Sequence, residues 1–235
     1  MSAAADVRLE RTGALVLDPA AARRLHDHGW FGSQRPPVGE AAAGAAAQRR
    51  RKRQRSWDAW ELSLEETMYQ HGRGAVRVWG GDTGGLLDGP ALWRACCAAQ
   101  ERLPATYATY AYWRRLGWVP RPGLQYGVTF LLYRDGSDRV SAEDREAQHQ
   151  HAEYCVTVVD GTASDPVLPC WQSLQATQRV SAGVAKALLL CVVSPAAGAA
   201  AGAATAVGDD PAAGSGLQVQ VIEVSRWAPE LSRKG

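Results

Sequence analysis

Gln125 to Arg134, QYGVTFLLYR, and Tyr154 to Asp160, YCVTVVD, are the two stretches on which the fold turns. Both are dense in aromatic and β-branched residues and too short for buried helices, so they are read as two neighbouring strands. Paired as an antiparallel hairpin, they put the end of the first beside the beginning of the second. That brings Tyr133 and His151 to one rim, a phenol and an imidazole available for acid/base work. Taken singly, a strand tyrosine is more often a packing residue and a histidine near a strand end more often a surface one. The 17 residues between them, RDGSDRVSAEDREAQHQ, form a long polar loop.

Outward from this hairpin, Gln172 to Val193 is read as one helix. Arg179 and Lys186, seven residues apart, then share a face, beside an apolar stripe of Val180, Val184, Leu188 and Cys191. A solvated basic face is the plain reading, but Lys186 is one of only three lysines against 23 arginines, and leucines follow it directly. A compact ammonium at a core boundary suits a point-charge contact to phosphate. Leu217 to Val224, LQVQVIEV, alternates as a final strand, and Ala91 to Leu116 carries apolar residues at helical spacing, split in two by Pro104. Towards the amino terminus, Ala14 to Leu17 reads as a strand, Asp18-Pro19 as a helix start and Ser63 as the N-cap of a short helix. A boundary in the glycine-rich loop near residue 85 gives a small α+β domain over 1–85 and a mixed α/β domain over 86–235. Low-complexity segments fall at 41–55, AAAGAAAQRRRKRQR, and at 195–216.

The 26 basic and 24 acidic residues leave a net charge of +2, which excludes a strongly cationic nucleic-acid coat or a polyacidic tail. Six of the basic residues fall within positions 49–55, so the other 228 carry 20 basic and 24 acidic groups, net −4. Affinity for an anion must then come from placement, although the basic run also suits RNA tethering or nuclear targeting. Five cysteines, odd in number with an adjacent pair and no CxxC, fit free thiols in a reducing compartment. A secretory leader and a membrane span are not expected, because the start is charged and the Ala187–Val207 stretch dissolves into Ala and Gly.

Tyr, His and Lys with no carboxylate cluster suit one metal-independent reaction, RNA cleavage by the 2′-hydroxyl. A base takes the 2′-OH proton, an acid protonates the leaving 5′-oxygen and a cation stabilises the charge on phosphorus. A phenol that ionises near pH 10 needs cations beside it to act as the base, and Arg179 and Lys186 are the expected ones. The rival use of the region is metal binding by His149, His151 and Cys155, whose spacing matches no standard site. No P-loop, GxGxxG or GxSxG is present, and no cofactor is expected.

The run Tyr107–Tyr133, YATYAYWRRLGWVPRPGLQYGVTFLLY, with HAEYCVTV from His151, QRVSAGVAKALLLCVV from Gln178 and VQVIEVSRW from Val219, resembles the catalytic subunits of the tRNA-splicing endonuclease. The shared pattern is a YxxY helix, an R-x-x-GW-x-x-R-x-G turn, a YG-x-D-F-x-x-Y strand, an H-A-x-Y strand and an R-V-x-x-x-V-x-K helix. The resemblance implies a restriction-endonuclease-like mixed sheet flanked by helices. It places Tyr133 as general base, His151 as general acid, Lys186 as transition-state cation, and Arg179 and Trp227 on a flipped RNA base. It implies cleavage of pre-tRNA at the 5′ exon–intron junction, leaving 2′,3′-cyclic phosphate and 5′-hydroxyl ends, with no metal. The implied partners are a second catalytic subunit and two structural subunits, and the implied compartment is the nucleus, or else an organelle or its surface. Thr129 stands where the family has an acid, and the loop after Tyr133 is longer than the family's turn. Both departures keep a non-catalytic structural subunit or RNA-binding scaffold as the alternative.

Overall fold

Alternation of buried and open positions builds the first sheet of the computed structural model, which describes residues 3–35, 59–81, 84–134, 151–161, 170–196 and 216–225. Ala5–Leu9 (β1) buries Ala5 and Val7, and Gly13–Val16 (β2) pairs antiparallel with it. Helix Pro19–Asp27 (α1) starts as expected: the Asp18 carboxylate accepts from the Ala20 and Ala21 amides at 3.0 and 3.1 Å, and Pro19 occupies the first turn, where its missing N–H costs nothing. Ser33–Gln34 (β3) and Trp60–Ser63 (β4) lead to Leu64–Gly72 (α2). There Ser63 and Glu66 form a reciprocal capping box, a partner for Ser63 that the sequence reading did not name. Val76–Trp79 (β5) and Leu86–Leu87 (β6) complete a six-stranded sheet of order β3-β4-β2-β1-β5-β6.

Helix Gly89–Ala99 (α3), capped by Asp88, belongs to this first unit. Leu92, Trp93 and Cys96 are buried and Gln100 donates to Glu65 on α2 at 3.1 Å, so the unit runs to Leu103 and not to the boundary expected near 85.

The second unit begins at Pro104, in the first turn of helix Leu103–Arg115 (α4), so the predicted split of the two helices is met. Trp118–Pro122 (β7), a 3₁₀ turn at Leu124–Tyr126, Phe130–Arg134 (β8), Tyr154–Asp160 (β9), Trp171–Gly183 (α5), Ala187–Pro195 (β10) and Leu217–Val224 (β11) follow. The sheet order is β11-β10-β9-β8-β7. β8 and β9 form the expected antiparallel pair, with Leu131 opposite Cys155, while β9 and β10 run parallel with α5 as their crossover. Aromatic contacts set α4 on one face, Tyr110 against Phe130 at 6.1 Å and Trp113 against Trp118 at 6.3 Å. On the other face Leu174 of α5 packs on Val128, Leu131, Cys155 and Leu188.

Two expectations are corrected. The first strand starts at Phe130, because Gly123 and Gly127 turn the chain beforehand; a Cβ on Gly123 would stand 2.5 Å from Val128, so only glycine fits that close approach. The helix read over 172–193 ends at Gly183, and Ala187–Pro195 is a strand. The stop is a Schellman turn: the Lys186 amide donates to the Ser181 carbonyl at 2.9 Å, the Ala185 amide to the Ala182 carbonyl at 3.0 Å, and Ala185 takes φ 54°. Arg179 and Lys186 therefore do not share a helix face, and Val180 and Val184 are exposed instead of facing the core. The body of the loop between Tyr133 and His151, the insert at 41–55, most of 195–216 and Trp227 lie outside the described residues. Among the described residues no helix is long and apolar enough to cross a membrane.

Candidate active site

Strand direction decides which side chains meet. β8 runs antiparallel to β9 and β10 runs parallel to it, so the end of β8 and the beginnings of β9 and β10 lie at the same end of the sheet. Tyr133 is the penultimate residue of β8, His151 lies three residues before β9, and Lys186 immediately precedes β10. The registers bring Tyr133 and Lys186 to the level of Glu153, with His151 two residues earlier on the same segment: Leu132 is opposite Tyr154, and Tyr154 is opposite Ala187. Adjacent strands stand roughly 4.8 Å apart, so the whole row is about 10 Å wide. The three residues expected to act together thus share one sheet end, Lys186 by a turn-to-strand junction and not by a helix face.

Tyr133 is half-buried against the cluster of Leu131, Ala152, Cys155 and Leu188. Burial pushes its phenol above the ordinary value, Tyr126 and Cys155 add to that push, and the Arg121 guanidinium pulls the other way. The cation acting on the phenol is therefore Arg121 of β7, which the sequence reading passed over in favour of Arg179 and Lys186. The signal that could have found it was the strand pairing, since β7 sits beside β8. Arg179 lies exposed on α5, and the Lys186 ammonium donates to the Val184 carbonyl at 3.5 Å.

The far face of the same sheet end is fastened separately. Arg134 pairs with Glu153, donating to Oε2 at 3.1 Å, and lies 5.4 Å over the Trp118 ring, which meets Tyr154 edge-on at 5.3 Å. The Glu153 amide also donates to the Leu132 carbonyl at 2.9 Å. His151, two residues before Glu153, is thereby carried on an anchored segment while its own side chain is exposed.

Thr129 is not beside the phenol. Four residues along the chain, roughly 13 Å at strand spacing, separate it from Tyr133. Its hydroxyl accepts from the Val158 amide at 3.1 Å and its amide donates to the Val156 carbonyl at 2.8 Å. It opens the β8–β9 ladder at the opposite end, so the missing acid leaves the row unchanged. Cys155 is fully buried and packed on Leu131 and Leu188, in the sheet core and not in an open ligand set with His151; His149 lies outside the described residues.

Residues 103–199 match the family model described as tRNA intron endonuclease, catalytic C-terminal domain. The chain is 35% identical over 149 residues to the mouse protein named tRNA-splicing endonuclease subunit Sen2, covering 60% of this chain and 29% of that one. It is 29% identical over 143 residues to Sen2-1 of Arabidopsis thaliana, covering 61% and 53%. With SEN2 of Saccharomyces cerevisiae it shares 34% identity over 88 residues, 37% of this chain and 20% of the yeast protein. The matched region therefore spans between a fifth and about half of these relatives' own lengths.

Proposed function

We propose that this chain, whose residues 103–199 belong to the tRNA intron endonuclease catalytic-domain family, is a catalytic subunit of a tRNA-splicing endonuclease that cuts pre-tRNA at the 5′ exon–intron junction. The observation that carries the reading is the row of Tyr133, His151 and Lys186 at one end of three adjacent strands. In this reading the Tyr133 phenolate takes the proton of the 2′-hydroxyl, and the 2′-oxygen attacks the adjacent phosphorus. The bond from phosphorus to the 5′-oxygen breaks, and His151 gives its proton to that oxygen. Lys186 stabilises the additional charge that phosphorus carries in the transition state. The products are a 2′,3′-cyclic phosphate and a 5′-hydroxyl, with no water consumed. Arg179 on the exposed side of α5, together with Trp227, grips an unpaired RNA base by stacking. The reading includes a second catalytic subunit and two structural ones as partners, and the nucleus as the compartment.

The test uses the complex purified through a tag on this chain, a pre-tRNA substrate and single-turnover conditions in EDTA. Cutting at the 5′ junction, with a 3′ end resistant to phosphatase and a 5′ end that accepts phosphate from a kinase, is the expected result. Lys186→Ala or His151→Ala should slow it by roughly 10²-fold or more, and His149→Ala should leave it intact. Full cutting by both Lys186→Ala and His151→Ala would make this chain a structural subunit.

A further inference from the structure

Arg121 and Tyr133 lie on the same face of two neighbouring strands. β7 and β8 pair antiparallel, with Arg121 opposite Leu131 and Val119 opposite Tyr133. Residues opposite each other share a face, and Leu131 and Tyr133 are two apart, so Arg121 and Tyr133 are diagonal neighbours roughly 7–8 Å apart at the backbone. A guanidinium spans that gap readily. Arg134, adjacent to Tyr133 in sequence, projects to the opposite face, where it meets Glu153 and Trp118.

The local sequence holds Arg121 in place. It stands between Pro120 and Pro122, whose rings fix φ near −65°, on the outermost strand among the described residues, where prolines cost no ladder bond. The surface between the two side chains is apolar: Val119, Leu131 and Cys155 are at most 2% exposed. A charge above such a floor is screened less than in open water. The charged and titratable groups acting on the phenol are Arg121 from β7, Tyr126 from the 3₁₀ turn and Cys155 from β9, and Tyr133 packs on the core cluster that also takes Leu174 from α5 and Val224 from β11.

We infer that Arg121 is a positioning residue for the base, its guanidinium stabilising the Tyr133 phenolate that accepts the 2′-hydroxyl proton. The inference rests on the reading of Tyr133 as the base. The guanidinium offsets part of the burial that holds the proton on the phenol oxygen, and burial remains the larger effect.

Single-turnover cleavage by the whole complex is measured from pH 5.5 to 9 for wild type, Arg121→Gln, Arg121→Lys and Tyr133→Phe. Arg121→Gln should be about tenfold slower throughout this range, because the phenol ionises above it and a tenfold loss then corresponds to a shift of the rising limb by about one pH unit. Arg121→Lys should recover most of the rate at neutral pH. A superimposable Arg121→Gln profile, or a loss that lysine does not repair, overturns the inference. Tyr133→Phe separates the two levels. If it cuts normally, the base assignment itself fails; if it is inactive while Arg121→Gln keeps the wild-type profile, only the role of Arg121 fails.

Discussion

Thiol environments differ sharply from residue to residue. Burial pushes the Cys96 thiol up to about 12 and the Cys191 thiol up to about 11, whereas exposed Cys170 is lowered by hydrogen bonds from Ser173 at the start of α5. Iodoacetamide on the native protein at pH 8 should therefore modify Cys170 first and leave Cys96 and Cys191 untouched until unfolding, as read by peptide mass spectrometry. The same shifts fix a stability window. A folded value above the unfolded one stabilises fully below about pH 9 and is lost as pH rises through 9 to 12 for Cys96, so denaturant midpoints should fall across that range. The shared sheet end of Tyr133 and His151 was legible because hydrophobic runs announce strands, and strand pairing places their ends. Arg121 was not legible: its meaning is a diagonal across two strands, and the cations expected beside the phenol were Arg179 and Lys186.

At the scale of elements, the junction between α5 and β10 matters most. VSAGVAKALLLCVV carries apolar residues at spacings that suit either a helix or a buried strand, and nothing in periodicity alone separates the two. What ends the helix is the Schellman turn with Ala185 at φ 54°, in a position glycine usually takes. A left-handed alanine costs roughly 1–2 kcal/mol, and glycine gives back roughly 0.4–1 kcal/mol through the unfolded chain. Ala185→Gly should then stabilise the protein by roughly 0.5 kcal/mol in denaturant unfolding; a destabilisation would contradict the turn. The amino-terminal caps were read more easily, since Asp18 and Ser63 announce helix starts through local chemistry. Ser63→Ala, which removes the capping-box acceptor, should cost about 1 kcal/mol in the same measurement.

For the whole molecule, charge placement and topology bear on the proposed function. Six basic residues in seven positions at 49–55 account for the positive net charge, and the remainder is slightly acidic. Removing 49–55 should weaken pre-tRNA binding by the complex and flatten its salt dependence while leaving the single-turnover rate at saturation unchanged; loss of all binding would make tethering the chain's main work. The catalytic account depends on the parallel β9–β10 pair and antiparallel β8 bringing three positions to one sheet end with distinct roles. A pre-tRNA whose leaving 5′-oxygen at the 5′ junction is replaced by sulfur tests those roles directly, because a thiolate leaves without needing a proton. On that substrate the account predicts that His151→Ala regains close to wild-type cutting while Tyr133→Phe and Lys186→Ala stay slow. Equal defects of all three variants on both substrates would contradict it.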